Sequence, residues 1–196
     1  MLRLPVPVAV SLVAGLATAW HAIHSTSVCF SAVLAASAFA CIEFTWYATT
    51  TEQPNGDLAF TPFQPTCRAG HTTWAQFWAN VLYTPVLLFT FRQVVSSAFV
   101  RVVLFPCNIW LLEIVEGYAL MLLFGRNIAW TYTTNDAYCH GNIRLGFWKQ
   151  WLALGIVLEC VGYRVLDTLG EWCAASCVPL EGVLLAFGVA TIKYGH

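Results

Sequence analysis

Glu113 and Glu116 stand one helical turn apart inside an apolar stretch, Val102 to Phe124. At i and i+3 they share a helix face, with Gly117 beside Glu113 at i+4. An acid at the centre of a bilayer costs at least ~2.5 kcal/mol on insertion scales, so such a residue faces a cavity or a partner. Two carboxylates one turn apart cannot both ionise cheaply, and that suits a proton or cation relay. The structural alternative is a helix–helix hydrogen bond or an ion pair, with Arg92, Arg101, Arg126 or Lys149 reaching the acids by snorkelling. Glu43 and Glu159, each in a different apolar stretch, are the remaining relay candidates and would complete a ring of four acids.

Other chemistry is poorly represented. Cys67-x3-His71 and Cys139-His140 supply metal-capable atoms, but neighbours such as Cys139 and His140 rarely bind one ion together, and a structural zinc site needs a closed tetrahedral set. The same two cysteines would form a disulfide if their loops were luminal. Cys29, Cys41, Cys107 and Cys160 read as small apolar fillers. The sequence holds no HExxH, no GxSxG, no Gly-rich dinucleotide loop and no phosphate-cradling GxxxxGK[ST]. The expectation is a protein without metal or cofactor that is not an enzyme.

The elements that must position these acids follow from composition. The chain has 196 residues, 59% hydrophobic and only 10% charged, with mean hydropathy +0.67. Ordinary globular domains run about 25% charged, and the 9 Trp and 7 Tyr suit lipid–water interfaces. A net charge of −1 with no basic run excludes a phosphate-backbone grip, so no nucleic-acid partner is expected. The lipid bilayer is the expected partner.

A membrane span needs ~20 mostly apolar residues, and six stretches qualify: Leu4 to Ile23, Val28 to Ala48, Ala75 to Phe91, Val102 to Phe124, Gln150 to Val165 and Ala174 to Ile192. The first reads either as a retained helix or as a signal peptide, with Arg3 ahead of the apolar run and Ala17-Thr18-Ala19 imitating a cleavage site. Small residues repeat every fourth position at Ser11, Gly15 and Ala19 and again at Ala32, Ala36 and Ala40, which predicts a close helix seam. The expected fold is an all-α transmembrane bundle of five or six helices. It divides into residues 1–27 (first helix and turn), 28–166 (four-helix core) and 167–196 (last helix and tail).

Two long loops, 49–74 and 125–149, are rich in Pro, Gly and Asn and carry aromatics, so they are expected to lie on the interface or fold back on the bundle. With six spans they fall on one side of the membrane. They also suggest a duplicated helix-loop-helix unit. Glu43, Cys67, Gly70, Trp74 and Trp78 run parallel to Glu116, Cys139, Gly141, Phe147 and Trp148, with 24 and 23 positions between acid and Cys. Duplicated helix pairs in membrane bundles place sites at the repeat interface.

From Val103 to Glu159 the residues form a recognisable series: Leu112-Glu113, Glu116-Gly117-Tyr118, Gly125-Arg126, Trp130, Tyr132, Gly141-Asn142-Ile143-x-Leu145 and Trp151-x-x-x-Gly155. An earlier stretch contributes Cys41-Ile42-Glu43 and Gly70-His71-Thr72-Thr73-Trp74. Over roughly residues 35 to 165 this resembles the transmembrane protein 229 family and its bacterial relatives, the type IV ABC-transporter permease-like (CmpB-like) proteins. The resemblance implies a multi-pass bundle in which an acid-bearing helix leads to a Gly-Arg-x-x-Trp-Asp-Tyr-like turn. Here Gly125, Arg126, Trp130, Tyr132, Gly141 and Asn142 are the corresponding positions, with three residues rather than two between Arg126 and Trp130. This chain has Thr131 where the family has Asp, so that carboxylate is either lost or supplied by Asp136.

The functional expectation is a multi-pass integral membrane protein, transporter-like or channel-like, whose intramembrane glutamates relay protons or a cation. The alternative is an accessory or assembly subunit of a larger membrane complex, in which the same acids lock helices together. The expected partners beyond lipid are subunits of such a complex or further copies in a homo-oligomer, the latter compatible with transport. Acids open to a cavity favour the first reading, and acids buried against arginines favour the second.

Overall fold

In the computed structural model, residues 24–53, 58–62 and 73–194 are described. The stretch Leu4 to Ile23 with its Ser11, Gly15 and Ala19 repeat, and the positions Cys67, Gly70 and His71, lie outside them. Helix α1 (Thr26–Thr49) begins after Ser25 and runs 24 residues without glycine or proline. A three-residue hairpin follows, β1 (Thr50–Glu52) against β2 (Leu58–Phe60). Helix α2 (Trp74–Tyr83) starts where Thr73 Oγ1 accepts the Gln76 amide at 3.2 Å, a side-chain cap on a free backbone donor. It passes into a π-helical turn at Thr84–Thr90 and a last α turn, α3 (Phe91–Val94).

Helix α4 (Ala98–Phe124) is capped by Ser97 and stops at Gly125. The glycine adopts φ 77°, a left-handed conformation that suits a residue without Cβ, and its amide closes on Met121 O. A second small hairpin, β3 (Ala137–Tyr138) with β4 (Ile143–Arg144), leads into α5 (Trp148–Val157). A second π turn at Leu158–Gly162 continues directly into α6 (Tyr163–Ala175). The final helix, α7 (Leu180–Tyr194), leaves at 111° to the preceding helical run.

Named contacts give the directions. Ser31 Oγ donates to Leu166 O at 2.8 Å, while Trp46 meets Phe147 edge-on, so α1 is antiparallel to the α5–α6 run. Arg101 reaches Glu159, and Phe105 packs on Gly155, so α4 is antiparallel to it as well. The two long connections therefore leave from the same end of the molecule. Close approach is built in with glycine: a Cβ on Gly155 would sit 2.9 Å from Phe105 Cβ, and one on Gly170 would overlap Ser31 Oγ.

Two apolar clusters hold these elements. One joins Cys29, Phe30, Ala32, Val33 and Ala36 of α1 to Phe77, Trp78 and Val81 of α2 and Leu180 of α7. The alanine row of α1 thus packs against α2 and α7. The second joins Tyr83, Leu88 and Phe89 to Phe105, Ile109 and Tyr163. The outer side of α4 stays apolar and exposed, with Phe99 77%, Val115 61% and Leu122 87% accessible, as a lipid-facing surface would be.

The protein is mainly helical, in agreement with the all-α expectation. Among the described residues, two helices are long and apolar enough to cross a membrane, Thr26–Trp46 and Ala98–Phe124, or three if the bent pair Leu145–Ala175 and Leu180–Ala190 is one span. These match the expected stretches at 28–48 and 102–124. Expected spans at 75–91 and 150–165 are helical, but each contains a π turn. The stretch expected at 174–192 is interrupted: Ser176 to Pro179 break the helix and α7 turns away. The division drawn at 166/167 falls inside α6, whose Leu166 and Gly170 both pack on Ser31.

Candidate functional site

Gly117 is the point where the second loop meets the helix that bears the acids. A Cβ there would overlap the side-chain amide of Asn142, which is fully buried. Asn142 in turn organises the loop. Its Oδ1 accepts from Asn127 Nδ2 at 3.0 Å, and its carbonyl accepts from Trp130 Nε1 at 2.7 Å. Tyr132 N donates to Gly141 O at 2.8 Å, and Gly141 has φ 81°. The loop is thereby folded back on α4, and it delivers Tyr132 to the acids: Tyr132 Oη donates to Glu113 Oε1 at 2.9 Å.

A carboxylate shape complements the far side of the same loop. Asp136 accepts from Arg144 Nε at 3.2 Å and from the Gly146 amide at 2.9 Å, and the Arg144 guanidinium lies 4.7 Å from the Phe147 ring centre. Burial pushes the Asp136 carboxyl up, but hydrogen bonds from Thr134 and Arg144 together with the Arg144 charge outweigh it and hold it below the ordinary aspartate range. Asp136 is thus committed to the loop through Arg144 and Gly146. Thr131 Oγ1 bonds the neighbouring Trp130 carbonyl.

The acids face a partly open cavity of about 250 Å³ bordered by α1, α2 with its π turn, α4 and the α5–α6 run. Glu113 and Glu116 line it, together with Gln76, Asn80, Tyr83, Trp130 and Trp151, amid a mostly apolar wall. Glu113 Oε2, Glu116 Oε1, Gln76 Oε1 and the indole Nε1 of Trp151 are buried with no hydrogen-bond partner in the protein.

Cations are elsewhere. Arg101 makes a two-pronged pair with Glu159, Nε to Oε1 and Nη2 to Oε2, both at 2.6 Å, and Arg92 pairs with Asp167 at 2.8 Å. Arg126 is exposed, and Lys149 Nζ sits 5.6 Å from the Trp148 ring centre. Thus no cation among the described residues pairs with Glu113 or Glu116. The expected arginine and lysine partners serve other acids or the surface. The four acids do not form one ring either: Arg101 is 12 residues before Glu113, about 18 Å along an α-helix, and Glu159 stays with it.

Sequence reasoning missed the polar side of α2. Gln76, Asn80 and Thr84 recur every fourth residue, and all three line the cavity; that spacing in an apolar helix was the available signal. Tyr132 had been singled out only through the turn motif, and its bond to Glu113 crosses 19 positions. Compared with protein families, curated proteins and solved structures, the chain matches none.

Proposed function

We propose that this chain is a multi-pass membrane protein with five or six membrane-spanning helices, transporter-like or channel-like, in which Glu113 and Glu116 carry protons or a cation. The observation that carries this reading is that Glu113 and Glu116 line one cavity, each with a buried oxygen lacking a partner, while Arg92 and Arg101 pair with Asp167 and Glu159 instead. Leaving charge-capable groups buried and unpaired is expensive, so an arrangement serving only to lock helices would spend its arginines on them. Tyr132 gives Glu113 one neutral donor, a bond that holds the carboxyl in place without supplying a permanent counter-charge.

Element order supports the duplication in this reading. Each unit runs long helix, short hairpin, ten-residue helix opening on Trp74 or Trp148, then a π turn. Both π turns border the cavity, through Thr84 and Leu88 in one unit and Leu158 and Gly162 in the other, as a site at a repeat interface would require. The resemblance to the transmembrane protein 229 and CmpB-like proteins belongs to the same proposal. Gly125, Trp130, Tyr132, Gly141 and Asn142 are the residues that shape the loop over Glu113.

Purified protein in liposomes with an internal pH dye tests it. Glu113→Gln and Glu116→Gln should each reduce proton or monovalent-cation flux by about tenfold or more, the effect of losing one hydrogen bond to a charged group or its equivalent, with unchanged elution and stoichiometry. Flux equal to the unmodified protein in both variants would remove the acids from the mechanism and return them to a packing role in a larger assembly.

A further inference from the structure

The unpaired atoms around the cavity have a definite polarity. Three are acceptors, Glu113 Oε2, Glu116 Oε1 and Gln76 Oε1, against one donor, Trp151 Nε1. Glu113 is more than nine-tenths buried, so its free oxygen has no route to bulk water through its own exposure. A ligand that satisfies this wall must bring donors. Tyr83, Trp130 and Trp151 add aromatic rings, whose faces attract cations.

We propose that the cavity is a binding site for a small alkylammonium ion, a protonated primary amine carrying a short apolar body. This rests on the reading of the acid pair as a cation-handling site and names the cation. A primary ammonium presents three N–H donors, matching three acceptors, and its charge compensates a buried carboxylate. A hard metal ion fits less well: calcium takes six to eight oxygens and magnesium a near-octahedral set, and among the described residues no three His, Cys, Asp or Glu side chains converge as metal ligands. The apolar remainder of the wall is wasted on a bare or hydrated ion but solvates an alkyl chain. At about 250 Å³ the cavity falls below the roughly 300–1,000 Å³ of pockets for drug-sized ligands, so the apolar body is short.

The full chain in zwitterionic lipid nanodiscs provides the test, read by intrinsic tryptophan fluorescence, to which the wall residues Trp130 and Trp151 contribute. Pentylamine, pentan-1-ol and pentyltrimethylammonium are titrated at neutral pH. The alcohol shares the chain length without the charge, and the quaternary ion keeps the charge without N–H donors. Pentylamine should saturate at concentrations roughly tenfold or more below both others, the effect of a hydrogen bond to a charged group. Glu113→Gln with Glu116→Gln should erase that preference while leaving the alcohol response intact. Equal titrations for the three ligands in the unmodified protein would overturn the assignment with no variant needed, as would an amine preference that survives the double substitution. The dye assay for proton flux uses no amine. Acid-dependent flux without amine selectivity therefore sinks this inference alone, and loss of both sinks the relay reading as well.

Discussion

Glu113 is anchored by a tyrosine that belongs to a loop, and the loop is anchored by an asparagine that needs a glycine opposite. The chain of dependence runs Gly117, Asn142, Trp130, Tyr132, Glu113. Gly117→Ala should therefore act at a distance from its own methyl group. Overpacking a filled interior costs typically ~1–3 kcal/mol. The thermal midpoint in detergent should fall accordingly, and the environment of Trp130 should change in fluorescence; an unchanged midpoint would mean that Asn142 can move aside freely. The acids themselves were legible in the sequence because a carboxylate in an apolar stretch stands out. Their neighbours were not. Tyr132 approaches Glu113 through a fold of the loop that no period encodes, and Asn142 gains its importance from burial, which a polar residue type in a turn does not announce.

At the scale of elements, ion pairs fasten the end of the molecule opposite the long loops. Arg101 and Glu159 are only 11% and 13% exposed, and Arg101 Nη1 also donates to the carbonyls of Val95 and Ser96. One side chain thus ties the α3–α4 connector to the second π turn. Removing one partner strands the other; the loss is about 3–5 kcal/mol for a fully buried pair and smaller for this part-buried one. Arg101→Met or Glu159→Met alone should be destabilising, and the double variant should recover most of the thermal midpoint. Additive losses would show that the pair is dispensable as a pair. Helices α1 and α4 were readable from apolar length, and α2 from its aromatic start. The partner of Arg92, Asp167, was not legible in the sequence. It lies outside every expected span, although α6 continues straight through it.

For the whole molecule, α7 decides the topology. It has 15 residues, about 22 Å of helix against a hydrocarbon core of about 30 Å, and it departs at 111°. Gly188 has open space around a Cβ, so Gly188→Cys is a mild probe. In a background freed of other cysteines, Gly188→Cys and native Cys177 should react with an impermeant maleimide from one side of the membrane, and Asn135→Cys from the other. Reaction of positions 177 and 188 from opposite sides would make α7 a true crossing. Apolar content alone suggested a sixth span here, because it registers how greasy a segment is and carries nothing about a turn at Ser176 to Pro179.

The π turns at Thr84–Thr90 and Leu158–Gly162 have a consequence for the length of the chain itself. An i to i+5 turn holds one residue more than the i to i+4 turn around it. Each run from tryptophan onward therefore carries a surplus residue at the wall of the cavity. Losing one residue there would tighten the turn to a regular helix and leave both flanks in phase, whereas the same loss in the middle of α4 would rotate everything beyond it by about 100°. These two segments are where this chain can change its residue count and keep its faces.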